Sequence, residues 1–464
     1  MQAFGQGVLP RTRRFELRAR LGEGGSGVVY AAFDRELRTS VALKMLRAPS
    51  PERLLLLKKE FRSAEALVHP NLVKLGELFE EDGQWFFTME LVQGTDLLSY
   101  VRPRGGSFDE GRLRSAFGQL AGALEALHDE RKVHRDVKPS SVLVSREGRV
   151  VLLDFGVMSD GGRRSMRERS GEGVVGTIAY MAPEQALDEG VTPAADWYSF
   201  GVALYAGLTG ALPFRGSTRD ILEAKLNRAP LPPSAAGLAV PPDLDALCVA
   251  LLEPEAPARA GAREVAAVFR RGTSPTPLRG ADVFVGRGRE LAFLDDALRT
   301  VRGGEAVTVV VRGESGVGKS ALVRRWADGV RAGDATVVLD GRCYERESVP
   351  YKAVDELVDS LGGFLGELDD EDVAAMVPPH VRILCDTFPA LGQVRRFRST
   401  IAAGEEQLVP REKRARLFAA LRALLTRVAE RWPTVVVIDD IQWADDDSRS
   451  LLAAVLEAPA PPLL

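Results

Sequence analysis

The chain has 464 residues, too many for one ordinary domain, so two or three domains are expected. An apolar fraction of 45% and a charged fraction of 27% are those of a folded chain, and a net charge of -4 gives no general basic field, which argues against a nucleic-acid partner. Cys248, Cys343 and Cys385 are too widely spaced for a metal-ligand pattern or a disulfide framework, and no apolar run approaches the about 20 residues that span a bilayer, so a reducing cytoplasm is the expected location.

Residues 1–14 read as a flexible lead-in, basic but without the apolar stretch of a secretory signal. Leu17–Leu21, Val28–Phe33 and Val41–Leu46 then read as strands. Pro51–Val68 reads as a helix, with Leu54, Leu57, Phe61, Ala64 and Leu67 on one face. Val73–Phe79 and Trp85–Leu91 add two strands around the turn Glu81-Asp82-Gly83. After Gly94 the character becomes helical. Leu113–Leu127 is periodic, Ala195–Thr209 is a more buried helix, and a last helical region runs from Asp243 to about Arg270. A short hairpin is expected around Glu147-Gly148, and the polar stretch Ser159–Val174 reads as a mobile loop. Gly272 to Gly280 is a linker by composition. A second module follows from Phe284, with helix Glu290–Val301, strand Val307–Arg312, a glycine-rich loop, a helix from Lys319, helix Arg411–Arg431 and strand Thr434–Ile438. Alternating strand and helix predicts a parallel sheet there.

The first cluster of chemistry lies in the N-terminal half. Leu21-Gly22-Glu-Gly24-Gly-Ser-Gly27-Val-Val29 sets glycines between two strands, where backbone N–H groups can approach phosphates closely. By itself this is equally a tight hairpin turn. A dinucleotide fold is excluded because no helix follows the glycines. Lys44, inside the apolar run Val41-Ala42-Leu43-Lys44, needs a carboxylate partner if it points inward. Glu60 is the candidate, and Glu65 is a competitor that lies off the apolar face. The loop from Val133 to Val144 carries His134-Arg135-Asp136-Val137-Lys138 between two apolar runs. Asp136 can orient an attacking hydroxyl or accept its proton, and Lys138 can neutralise charge on a transferred phosphoryl group. Asp154, after the run Val150–Leu153, is placed to hold a divalent metal on the β- and γ-phosphates.

With Ala182-Pro183-Glu184, these motifs resemble the eukaryotic-type Ser/Thr protein kinases in their bacterial form. The resemblance covers residues 15–271 and implies an α+β two-lobed kinase fold, with a small lobe at 15–92 and a larger helical lobe at 93–271. It implies ATP with Mg²⁺ or Mn²⁺ in the cleft, and transfer of the γ-phosphoryl group to Ser or Thr hydroxyls of protein substrates. Gly22, Gly24 and Gly27 would meet the phosphates. Leu21, Val29, Ala42 and Leu143 would line the nucleotide, with Glu90 and Val92 on the hinge strand. Asp196 would brace the loop of Asp136, and Arg259 would pair with Glu184. Arg135 beside Asp136 implies a phosphorylated activation segment, with Ser165 or Ser170 as autophosphorylation sites, the alternative being ordinary loop serines. One position departs from the family. Ser141 stands where the family has an Asn that ligates a second metal. Three readings follow: a weakened kinase that uses a water or the Ser hydroxyl, a protein that binds ATP without appreciable transfer and acts as a nucleotide-dependent signalling scaffold, or a different metal arrangement.

The second cluster is Gly313-Glu-Ser-Gly316-Val-Gly318-Lys319-Ser320, which follows an expected strand and opens a helix. Backbone N–H groups and the helix N-terminus would cradle phosphates, Lys319 would reach the β- and γ-phosphates, and Ser320 would hold Mg²⁺. Val435 to Asp440 is an apolar strand ending in two acids; Asp439 suits the metal shell, and Asp440 could polarise a water. With Phe284 to Leu291 in front and Gln442-Trp443-Ala444-Asp445 behind, residues 284–464, after the linker 272–283, resemble the AAA-like ATPases of multidomain signalling proteins. The resemblance implies an α/β P-loop NTPase domain with a parallel sheet, and oligomerisation through this module. Pro461 to Leu464 would start its next strand. The sensor residue and helical lid of that family would lie beyond, so the module is expected to be incomplete and better at binding nucleotide than at hydrolysing it.

Overall fold

The structure is a computed structural model that describes residues 12–24, 27–47, 50–65, 67–103, 106–153, 178–187, 190–236, 239–269, 286–314, 317–333, 336–401 and 409–464. It forms two compact units. The first comprises residues 1–45, 59–76 and 87–277; the second comprises 46–58, 77–86 and 278–464.

Strands β1 (Phe15–Gly24) and β2 (Gly27–Asp34) form an antiparallel hairpin, with Gly22 opposite Val29 and Gly24 opposite Gly27. β3 (Thr39–Leu46), helix α1 (Pro51–Glu65), β4 (Leu75–Glu81) and β5 (Gln84–Glu90) follow, and the strands run in the order β1-β2-β3-β5-β4. α1 stops short of the expected Val68. Pro70 disfavours helix at the residue before it, the Leu67 N–H closes a tighter turn onto the Ala64 carbonyl, and Val68 is left 94% exposed.

β6 (Gly94–Asp96) leads into α2 (Leu97–Val101) and α3 (Glu110–Asp129), whose first turn is capped by the Asp109 carboxylate. β7 (Val142–Ser145) and β8 (Val150–Leu152) make the expected hairpin, and β6 joins them as a third antiparallel strand. The helical lobe continues with α4 (Pro183–Ala186), α5 (Pro193–Thr209), α6 (Thr218–Asn227), α7 (Pro242–Leu251) and α8 (Ala262–Phe269). The single helical region expected after Asp243 is two helices, because Pro254 and Pro257 interrupt it. α5 is buried continuously from Ala195 to Leu208. Around it Phe200 meets Phe117 edge-on at 5.2 Å and Trp197 at 5.6 Å. Gly201 is required where α5 and α7 cross, since a Cβ there would sit 2.7 Å from the Leu251 Cβ.

In the second unit α9 (Gly288–Arg302) and α10 (Lys319–Gly333) precede β9 (Val337–Arg342), β10 (Glu347–Ser348) and α11 (Lys352–Glu367). Three short helices, α12 (Asp370–Met376), α13 (Val381–Thr387) and α14 (Arg395–Thr400), lead to the long α15 (Pro410–Arg431), β11 (Thr434–Asp439) and α16 (Asp446–Leu456). β11 and β9 are parallel, from Thr434 opposite Val337 to Asp439 opposite Arg342. Leu339, Val358, Leu361, Leu421, Leu424 and Leu451 are fully buried around them, each burial contributing about 1.5–3 kcal/mol. The same unit holds a short parallel pairing of β10 with β4 and a buried ion pair, Lys58 to Asp355, at 2.6 Å.

The expected strand Val307–Arg312 is not one. Its Val307 N–H reaches the Leu463 carbonyl at 2.9 Å, while Val310 is 64% exposed and no ladder continues past it. Its apolar alternation fits a strand, but a strand is defined by a neighbour, and Leu463 is itself held as an isolated bridge to Thr434. That bridge does put Leu463 beside β11, as expected for the start of a next sheet strand.

Candidate active site

The loop of Asp136 is held from below by one buried carboxylate. Asp196, fully buried in the first turn of α5, accepts the His134 N–H at 2.7 Å and the Arg135 N–H at 2.8 Å. Its Oδ2 also lies 2.9 Å from Nε2 of His128, at the end of α3. A carboxylate with three donors is the usual way to keep a charge inside a protein. Arg135 adopts a left-handed backbone, φ 67°, between these two anchors and Asp136.

His134 carries the constraint further. Its Nε2 lies 2.9 Å from the Leu153 carbonyl, which can only accept, so the proton sits on that nitrogen. Its Nδ1 is then free to accept the Asp136 N–H at 3.2 Å. The Leu153 N–H donates to the Ser141 carbonyl at 2.8 Å. The residue before Asp154 is thus fixed to both ends of the loop. Asp154, Ser165 and Ser170 themselves lie outside the described residues.

Asp136 and Lys138 form an ion pair with each other. The Lys138 ammonium lies 2.7 Å from Oδ2 and 3.0 Å from Oδ1 of Asp136. Ser141 sits beneath them, 6% exposed. Its hydroxyl accepts the Lys138 N–H at 3.1 Å and has the Lys138 and Asp136 carbonyls at 2.8 and 3.1 Å as acceptors for its own proton. One lone pair is left for a cation, on a neutral oxygen. Ser141 therefore fits a metal poorly as a ligand and fits well as the closure of the loop.

Lys44 is 5% exposed on β3, with its ammonium 6.0 Å from the Phe87 ring centre. The inward position expected for it holds. The side chain of Glu60 lies outside the described residues, as do Gly25 and Ser26 at the hairpin tip. Gly22, Gly24 and Gly27 lie on the β1–β2 hairpin, and nothing stands within 4 Å of a Cβ placed on Gly22 or Gly24. Leu21 is 53% exposed, Val29 and Leu143 are half-buried, and Ala42 is buried. Val92 follows β5 and is half-buried. The Glu90 side chain is gripped by Arg149 at 2.9 Å through both oxygens, and the Lys74 N–H adds a third bond, which leaves the main chain of the hinge strand as the part of Glu90 that could meet a nucleotide. Burial pushes the Glu90 carboxyl up, but those three donors outweigh it and hold it below the usual carboxylate range.

Glu184 and Arg259 meet as expected, at 2.7 and 3.0 Å, and the guanidinium also donates to the carbonyls of Ala194, Glu253 and Pro254. Two contacts had no signal in the sequence. Gln185, next to Glu184, donates to the Arg135 carbonyl at 2.7 Å, tying α4 to the catalytic loop. Asn71 donates to Gln119 and to the Val150 carbonyl, fixing β8.

In the second unit the loop of Gly313 to Ser320 opens α10 as predicted, with Gly316 outside the described residues. Gly318 has φ +88°, a conformation only glycine adopts easily. Lys319 folds back onto the Gly313 and Glu314 carbonyls at 2.9 and 2.8 Å. A largely apolar cavity of about 710 Å³ has Lys319, Ser320, Asp439 and Asp440 among its lining residues. Arg342 holds Oδ2 of Asp440 at 2.9 and 3.1 Å and Gln442 donates to its Oδ1. Asp439 takes only the Asp440 N–H from among these groups, at 3.0 Å.

Residues 15–268 match the protein kinase domain family, and residues 283–464 match the AAA ATPase domain family. The kinase half is 36% identical over 237 residues to Serine/threonine-protein kinase PknH of Mycobacterium bovis, covering 50% of this chain and 39% of that protein. It is 34% identical over 236 residues to PknE of Mycobacterium tuberculosis, covering 50% and 41%, and 32% identical over 222 residues to PrkC of Bacillus subtilis, covering 47% and 34%. The chain thus spans about two fifths or less of the length of these relatives. Both domains imply ATP and a divalent metal, and among the described residues no helix is long and apolar enough to cross a membrane. On this match, and on the buried brace beneath Asp136, the chain belongs to the protein kinase domain family and carries an AAA ATPase domain behind it.

Proposed function

We propose that the chain is an ATP-dependent Ser/Thr protein kinase coupled to a nucleotide-binding regulatory module in signal transduction. The observation that carries this reading is the Asp136–Lys138 pair on a loop pinned by Asp196. Asp136 orients the acceptor hydroxyl and takes its proton as the γ-phosphoryl group transfers in line. Lys138 neutralises the charge that develops on that group. Lys44 would hold the α- and β-phosphates, with Glu60 as the carboxylate expected to partner it. The divalent cation, Mg²⁺ or Mn²⁺, neutralises phosphate oxygens when bound, and Asp154 would hold it with Ser141 as a weak second group. In the second module Gly313, Gly316, Gly318 and Lys319 would bind phosphates, and Ser320 and Asp439 the cation. Protein Ser and Thr hydroxyls, including Ser165 or Ser170 of the chain itself, are the acceptors, and the cytoplasm is the place of action. A scaffold that does not transfer phosphate is not favoured, since the relatives matched carry the names of Ser/Thr kinases.

The test is transfer of radiolabelled γ-phosphate from ATP to a Ser/Thr peptide array, with Asp136→Asn as control. Label is expected on the array, falling about 10²–10⁴-fold in the control. No label above the control overturns the reading.

A further inference from the structure

Lys58 is a buried lysine of α1 that the chemistry described above does not use. It is 2% exposed, and its ammonium donates to Oδ1 of Asp355, itself 2% exposed, at 2.6 Å. The two residues are 297 positions apart. Lys58 belongs to the stretch that matches the protein kinase family, and Asp355 to the stretch that matches the ATPase family. Both lie in the second compact unit, which takes in residues 46–58 and 77–86 together with 278–464. The centre of the Trp85 ring, on β5, stands 5.0 Å from the same ammonium. A second join is made by backbone alone. β10 pairs in parallel with β4, Glu347 opposite Leu78 and Ser348 opposite Phe79, and the Leu78 N–H donates to the Arg346 carbonyl at 3.0 Å. β10 thereby covers the side of β4 that β5 leaves open, where an uncovered strand edge would invite other chains.

Asp355 is a fixed point. It sits on α11, which packs so closely on β9 that a Cβ on Gly341 would stand 3.2 Å from the Leu357 Cβ. The Arg342 N–H donates to Glu356 at 2.8 Å, and the Ala353 N–H donates to the Ser448 hydroxyl at 3.0 Å. The carboxylate that meets Lys58 is therefore mounted on a helix bound to the β9–β11 pair. At the other end, α1 runs without a break from Pro51 to Glu65, and Glu60 follows Lys58 by two residues, about 3 Å of helix rise. A helix of four turns moves as one rod, so whatever fixes Lys58 also fixes the backbone at Glu60. Apolar side chains could fill the same space as the ion pair, but only a charged pair also sets the register.

We propose that the ATPase module is an intrachain brace for α1, with Lys58 a positioning residue that acts through Asp355 to set the place of Glu60 relative to Lys44. The proposal rests on the kinase reading and assigns part of its ATP-holding geometry to residues outside the kinase stretch. Lys58 has no part in the transfer itself; it acts through the helix it anchors.

The test uses the full chain with Asp355→Asn, with Lys58→Met and with the two combined. With the best acceptor from a peptide array, each single change is expected to lower kcat/KM for ATP about tenfold and to leave KM for peptide within about twofold. The double variant is expected to lose about as much as either single one, because the two side chains act through each other. On a Glu60→Gln chain, Asp355→Asn is expected to add less than about a twofold loss. Hydrogen–deuterium exchange, which needs no activity, is expected to speed up about fivefold over residues 51–65 in Asp355→Asn. Exchange over α3, α5 and α15 is expected to stay as in wild type. Single variants that lower kcat/KM for ATP by less than about threefold overturn the proposal, as do losses that multiply in the double variant or on the Glu60→Gln chain. So does unchanged exchange over α1, and so does faster exchange over α15 as well, which marks general loss of packing. A wild-type chain that transfers no phosphate refutes the kinase reading; the exchange result then still decides whether Asp355 holds α1.

Discussion

The loop that carries Asp136 and the loop that carries Lys319 are both short, polar and suited to phosphate, yet they are held in opposite ways. The first is fixed by groups far away in sequence, Asp196 on α5 and Gln185 on α4. The second closes on itself, with Lys319 bonded to carbonyls five and six residues back. The difference is one of preorganisation. A loop clamped by buried distant groups has its shape set by the fold, whereas a loop whose lysine bonds its own backbone would have to exchange those bonds on binding an anion.

Four substitutions or conditions break or sharpen this contrast. The largest effect is expected from Glu184→Ala, which leaves the Arg259 guanidinium buried with carbonyls alone. Removing one partner of a buried pair costs about 3–5 kcal/mol, so Tm of the helical lobe is expected to fall by about 6–20 °C in a calorimetric scan. A shift under a degree would mean that the lobe is not braced from α4. Next comes Lys319→Ala. Loss of its charged hydrogen bonds is worth about 1.5–3 kcal/mol, or roughly 10- to 100-fold in nucleotide affinity. In a titration that resolves two classes of ATP site, one class is expected to weaken and the Tm without nucleotide to hold steady. A fall in that Tm would show the loop to be part of the fold's support after all.

Ser141→Asn is a smaller change at the clamped loop. If the amide supplies a metal contact that the serine lacks, kcat is expected to rise about three- to tenfold. A lower kcat would mean that the hydroxyl bonds to Lys138 matter more than the cation contact. The smallest effect concerns the Glu90–Arg149 pair. Its folded carboxyl lies below its unfolded value, so its stabilisation is complete above the unfolded pKa and is lost as pH falls through the folded one. For a pair this exposed the loss is under about 1 kcal/mol. Wild type and Glu90→Gln are expected to differ in Tm at pH 7 and to converge as pH drops below the ordinary carboxylate range.

The same contrast explains what could be read from residues alone. The loop of His134 to Lys138 was legible because its charges sit between two apolar runs; β7 forms where the downstream run lies, while no strand forms just before His134. Lys44 was legible for a similar reason, a charge inside a buried strand. Val307–Arg312 misled, since alternation of apolar residues predicts a strand without saying whether a neighbour will pair with it. β9 went unread because Asp340, Gly341 and Arg342 dilute its apolar pattern, and its parallel partner is nearly a hundred residues away. Asp440 was read as able to polarise a water; its partner Arg342, 98 residues earlier, could not be read from the sequence.

Each carbonyl from Ile178 to Met181 is held by a side chain of α5 or α6, so the course of that stretch is set by helices distant from it in sequence. A substitution at Lys225 or Ser199 is therefore felt first in main chain 19 or more residues away.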